Sequence, residues 1–144
     1  MTKKSVNTDQ QILAHYVKVG ELLAQMFEPH LEVAVHDLRY PEHSIIAIFN
    51  GHITGRNIGE GTSDLGYEKV SGKVPDKVVN YKNESPDGKP LKSSSLTIRN
   101  NKGNIIGSLG LNYDISVFDQ FSNVLSIFTN TKENTITHGK EAFF

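Results

Sequence analysis

"SIIAIFNGHITGR", Ser44 to Arg56, opens as strand sequence and closes as something else. Ile45, Ile46, Ala47, Ile48 and Phe49 are apolar and rich in β-branched residues, which suits a pleated, half-buried strand. Asn50-Gly51 then stops it, because both residues tolerate positive φ. His52, Thr54 and Arg56 follow at every second position. Read as an extended segment, they project to one side. Two readings stand at this point. The string is a solvated turn, or it is the rim of a binding site in which a guanidinium, an imidazole and a hydroxyl grip a carboxylate or phosphate.

Working outward, the preceding Leu31-Glu-Val-Ala-Val-His-Asp-Leu38 also reads as a strand, joined to Ser44–Phe49 through the turn-like Arg39–His43. A connection this short makes the pair an antiparallel hairpin. Upstream, Thr8-Asp-Gln-Gln11 fits a capping box. The spacing of Ile12, Tyr16, Val19, Leu23 and Met26 predicts an amphipathic helix that Pro29 cannot continue. That stripe is wide enough for both a core and a partner helix. Residues 55–90 are broken by glycines and read as short helices and loops, with Thr62-Ser63-Asp64 capping a short helix through Val70. Ser93–Arg99 and Asn104–Asp114 predict a second hairpin around Asn101-Lys-Gly103. Ser116-Val-Phe-Asp119 predicts a capped final helix with Val117, Phe121, Val124 and Phe128 on one face.

This order implies an α+β fold: an antiparallel sheet flanked by helices, with space for a small ligand between the sheet and the helices of residues 55–80. Residues 1–7 are expected to be a flexible leader, 8–129 one domain, and 130–144 a linker or tail.

Composition bounds the chemistry. The chain has 144 residues, 37% hydrophobic and 22% charged, with a formal net charge of −1. That is a normal mix for one domain, with no basic excess to drive binding to phosphate backbones. There is no cysteine, so disulfides and thiolate chemistry are excluded. No apolar h-region and no run near the ~18 residues of a membrane span is present. A cytoplasmic location and no membrane partner are therefore expected. The six histidines form no metal-binding spacing, so neither metal nor cofactor is expected.

His36 and Asp37 point to opposite faces of a strand and form no dyad with each other. The favoured reading of His36 is a strand-end histidine bonded to backbone, with a pocket role as the alternative. Ser93, Ser95, Thr97 and Arg99 share one strand face. They read first as a solvated outer face over a core of Leu96 and Ile98, and second as hydroxyls at a pocket wall. Asn112 is a candidate pocket residue, while Asp114 supports the start of the last helix.

Taken together, His36-Asp-Leu38, Ser44–Arg56, Thr62-Ser-Asp-Leu65, Asn80-Tyr81, Asp87-Gly-Lys-Pro-Leu-Lys-Ser-Ser94 and Ile106–Ser116 resemble the YheO-like PAS domain family. The resemblance covers about residues 10 to 125. It implies a PAS-type fold and a sensor domain that, in family members, precedes a DNA-binding helix-turn-helix. At least one relative is described as a repressor controlling D-arginine use, which implies amino acids or related compounds as ligands. No helix-turn-helix pattern follows the last helix, so DNA contact is expected only through a segment outside this chain.

The expectation is a non-enzymatic, small-molecule-sensing, homodimeric domain. Its ligand contacts would come from Asn50, His52, Thr54, Arg56, His36, Thr97 and Asn112. The rival readings are a ligand-free dimerisation module, supported by the Ile12–Met26 seam, and a small enzyme using His, Asp and an arginine clamp.

Overall fold

The computed structural model describes residues 3–132, with side chains from residue 8 onward. The elements are α1 (Lys3–Met26), β1 (Leu31–Asp37), a single 3-10 turn at Pro41–His43, β2 (Ile45–Phe49), α2 (Asp64–Val70), β3 (Lys77–Glu84), β4 (Pro90–Arg99), β5 (Ile105–Asp114) and α3 (Ser116–Thr129). The five strands form one antiparallel sheet in the order β2-β1-β5-β4-β3. Both hairpins expected from the sequence are present.

Two differences have physical causes. α1 begins at Lys3, so Thr8 lies inside the helix rather than capping it. The stretch read as loops and short helices contains a full strand, β3. It is an edge strand with mostly exposed residues, and its register shifts between Val78 and Tyr81, where Asn80 takes φ 55°. An edge strand with lysines and a bulge resists further pairing, and both features erase the alternation by which a strand is recognised.

The sheet has two unlike faces. On the outer face, Leu31, Val33 and Val35 of β1 pair with Tyr113, Leu111 and Leu109 of β5. α1 lies across this face and contributes Leu13 and Ala24 to the core, with Ile12, Tyr16, Val17 and Leu23 packed around them. The helix comes close because two glycines sit at the contact. A Cβ on Gly20 would lie 2.8 Å from Val33, and one on Gly107 would lie 2.6 Å from Leu13 and 2.4 Å from the His36 carbonyl oxygen. The expected seam of α1 is thus largely used inside the protein: Ile12, Tyr16 and Leu23 pack on its own sheet, while Val19 and Met26 stay exposed.

On the inner face the rows are Glu32–Asn112–Ser93, Ala34–Gly110–Ser95 and His36–Ser108–Thr97. Every position is polar or small. The segment after β2, including α2, covers this face, so all seven residues of β1 are buried.

Candidate functional site

The two layers enclose a cavity of about 250 Å³. Its floor is the inner sheet face, including His36, Leu91, Ser95, Ser108, Gly110 and Asn112. Its roof is Thr54, Arg56, Thr62, Ser63, Leu65, Gly66 and Lys69, and Tyr81, Asn83 and Glu84 of β3 stand at the side. The volume lies below the roughly 300–1,000 Å³ of pockets for drug-sized ligands, and suits a small metabolite.

One buried carboxylate organises the wall. Glu32 is fully buried in β1. Its Oε2 accepts from the Thr54 backbone N–H (3.1 Å) and from Thr54 Oγ1 (2.6 Å), and its Oε1 accepts from Arg56 Nη2 (3.0 Å) and Asn112 Nδ2 (2.9 Å). Arg56 Nε also donates to Thr54 Oγ1 at 3.1 Å. Asn112 Oδ1 in turn accepts from Ser93 Oγ at 2.7 Å. Four donors on one carboxylate offset the cost of its burial.

His36 lines the same cavity, and its Nδ1 forms a 2.8 Å hydrogen bond with the fully buried Ser44 hydroxyl. Burial, and secondarily the nearby Arg56 charge, push its pKa down to about 4. The ring is neutral at neutral pH.

Lys69 is the second buried charge. α2 turns Gly66 and Lys69, three residues apart, toward the protein. Only 2% of Lys69 is exposed, and its Nζ donates to Thr97 Oγ1 (2.8 Å) and to the Asp76 carbonyl (3.0 Å). Burial lowers its pKa below the ordinary value, and the Asp76 charge works against that shift.

The expected site residues separate into three groups. Thr54, Arg56, His36 and Asn112 come together in the cavity wall, and Thr97 reaches it through Lys69. Asn50 does not line the cavity. It adopts φ 54° and its Nδ2 donates to the carbonyls of Ala24 (3.1 Å) and Leu31 (2.8 Å), tying the end of α1 to the start of β1. That satisfies a carbonyl which the helix end leaves free. His52 is exposed and outside the cavity. The chain here is a turn, with Gly55 N–H donating to the Gly51 carbonyl at 2.7 Å, rather than the extended segment the spacing suggested.

Ser93, Ser95 and Thr97 are buried on the inner face rather than solvated, and Ser95 lines the cavity. Glu32, Lys69 and Ser108 were missed. Glu32 and His36 share a face by strand period, and that was the available signal. The acid–base pair an enzyme would need is not formed among the described residues: His36 bonds Ser44, and neither it nor His52 bonds a carboxylate. Nor is any group of three acidic or histidine side chains placed there to hold a metal ion. No described helix is long and apolar enough to cross a membrane.

A sequence model described as a YheO-like PAS domain matches residues 7–130. YheO of Escherichia coli strain K12 is 34% identical over 124 residues, covering 84% of this chain and 51% of YheO. A Haemophilus influenzae strain Rd protein is 30% identical over 129 residues, covering 88% of this chain and 58% of its own length. The transcriptional regulator DauR of Pseudomonas aeruginosa strain PAO1 is 26% identical over 117 residues, covering 81% and 53%. The chain thus spans about half the length of these relatives. Among solved structures, the PAS domain of the fruit-fly ELK potassium channel aligns with a TM-score of 0.46 at 14% identity, covering 68% of this chain and 97% of that one.

Two outcomes follow from the wall. Arg56→Ala leaves the Glu32 carboxylate buried without its counter-charge and should cost about 3 kcal/mol in urea unfolding; an unchanged midpoint would mean that the pair contributes nothing. His36 is neutral in the fold down to about pH 4, whereas the unfolded chain takes up its proton near 6.5. Acidification through that window therefore removes stability, by about 3 kcal/mol from this group. His36→Gln should lose correspondingly less between pH 7 and pH 4, measured by urea titration at each pH.

Proposed function

The chain belongs to the YheO-like PAS domain family, and from that premise we propose that it is a cytoplasmic small-molecule sensor of a bacterial transcriptional regulator. The observation that carries the reading is the cavity itself. An inner sheet face of serines, threonine, asparagine and histidine is roofed by a loop and a short helix, where a folded domain with no ligand would gain from apolar filling. Thr54, Arg56, His36 and Asn112 supply directional contacts, and Thr97 acts through Lys69. The relatives extend well past the matched region, and one carries the name of a transcriptional regulator. The reading therefore assigns DNA contact to a part of the regulator outside this chain. Ligand binding biases a two-state packing of the roof on the sheet.

The test is a thermal-shift screen of this chain against amino acids of both hands, polyamines, organic acids and nucleotides. A ligand at 100 times its Kd adds about 2.7 kcal/mol, or roughly 5–10 °C for a domain of this size. A screen flat across all four classes would overturn the sensor reading.

A second reading, a dimerisation module, is favoured by α3. None of its residues is buried, and Phe118, Phe121, Val124, Leu125 and Phe128 are all more than half exposed. Val19, Leu22 and Met26 of α1 are exposed as well, and apolar surface of this kind is what a second copy would cover. Sedimentation should show a dimer at micromolar concentration that Phe121→Glu converts to monomer; a wild-type monomer counts against the reading.

A further inference from the structure

The cavity lining carries two cations, Arg56 and Lys69, and one carboxylate, Glu84, which forms no ion pair among the described residues; Glu32 joins them through Arg56. Arg56 is matched by Glu32. Lys69 is not matched. Among the described residues no carboxylate forms an ion pair with it. The Asp76 carboxylate, whose charge is felt at Lys69, is itself held at two points by Arg99, with Nε at 2.8 Å and Nη2 at 2.9 Å. Lys69 Nζ therefore rests on two neutral oxygens, a carbonyl and a hydroxyl. An ammonium has three N–H donors, so one is left without a protein partner.

A buried cation without a counter-charge costs free energy, and a fold has no packing reason to keep one where an apolar side chain of similar length would serve. The local structure nonetheless brings this lysine inward. α2 presents Gly66 on the same face, and a Cβ there would collide with the Thr62 side chain. Thr62 and Gly66 also line the cavity. Lys69 thus borders a cavity of about 250 Å³ with one N–H donor to spare.

Resting on the sensor reading of this cavity, we infer that its ligand is a small carboxylate whose anionic group is bound by Lys69, with the neighbouring hydroxyls of Thr62 and Ser63 within the same wall. The Glu32–Arg56 pair is already internally satisfied and serves to hold the roof rather than to supply the charge. Two sources share this chemistry: an amino acid, which adds an ammonium, and a plain organic acid, which does not.

The experiment uses this chain and matched series: alanine and lysine of both hands, their amides, the corresponding amines, and acetate, pyruvate and succinate with their neutral amides. Melting temperature and calorimetric affinity are read for wild type, Lys69→Met and Lys69→Arg. At least one acid is expected to raise the melting temperature by about 5–10 °C at saturation, while its amide and amine do not. Lys69→Met should weaken that acid by at least about 10-fold, and Lys69→Arg should retain part of the binding.

Without ligand, Lys69→Met should melt no lower than wild type, since it removes an unpaired buried charge; a merely structural lysine would lose stability instead, which overturns the assignment. Binding by an acid but not by the matched amine and amide supports the inference, and the amino and plain acids tell the two sources apart. An amide or amine that binds as well as its acid, or an acid that binds Lys69→Met unchanged, overturns the carboxylate inference and leaves the sensor reading standing. If neither this series nor the wider screen stabilises the wild-type chain, both fail.

Discussion

The structure depends on Glu32. A carboxylate in a strand that is buried along its whole length needs donors, and leaving it unpaired would cost several kcal/mol. The donors come from three places: the Asn112 side chain on β5, and the backbone and side chain of Thr54 and the guanidinium of Arg56 in the loop after β2. Satisfying one side chain thereby fixes how that loop crosses the sheet. The loop is the roof of the cavity. It cannot settle further onto the face without breaking the bonds that hold it, so space remains beside them.

The remaining stability has to come from the other side. Along β1 the odd-numbered residues Leu31, Val33 and Val35 face α1, and the even-numbered Glu32, Ala34 and His36 face the cavity. β5 and β4 repeat the division. Apolar burial and close helix approach at Gly20 and Gly107 are concentrated on the outer face, while the inner face carries desolvated polar groups that cost energy to keep. The His36 ring, held neutral by burial, and the unpaired Lys69 are two such costs. A fold that confines them to one face can tolerate them, because the outer face packs independently of what the cavity contains.

Much of this was legible in the sequence. The Ile12–Met26 periodicity, the two hairpins and Pro29 as a helix stop needed only period and breaker residues. Ser44–Arg56 was visibly unlike a plain turn, and it proves to be two devices in one string. Asn50 is a backbone clasp to α1, and Thr54 with Arg56 is the clasp on Glu32. What failed were inferences that needed to know which side of the sheet was covered. Ser93, Ser95 and Thr97 look solvated on polarity alone, because strand alternation tells faces apart but does not say which one a later segment will roof. β3 was hidden by its edge position and its bulge. Lys69 was hidden because a lysine in a short helix is nearly always a solvated one, and only the opposing Thr97 and Asp76 reveal that this one points inward.

The same geometry bears on how an occupied cavity would reach the rest of a regulator. β5 passes from the cavity floor directly into α3. Asn112 holds Glu32, and two residues later Asp114 Oδ1 accepts the Ser116 backbone N–H at 2.9 Å, fixing the first turn of the helix. No side chain of α3 is buried against the sheet. Its direction is therefore set almost entirely at that junction rather than by packing along its length. A ligand that competed for Asn112 would act four residues before the helix start, and a small rotation there would be carried along all fourteen residues of α3. In the proposed sensor, the polar inner face and the unburied apolar helix are two ends of one strand: the first costs stability to recognise a ligand, and the second leaves apolar surface free for a partner to cover.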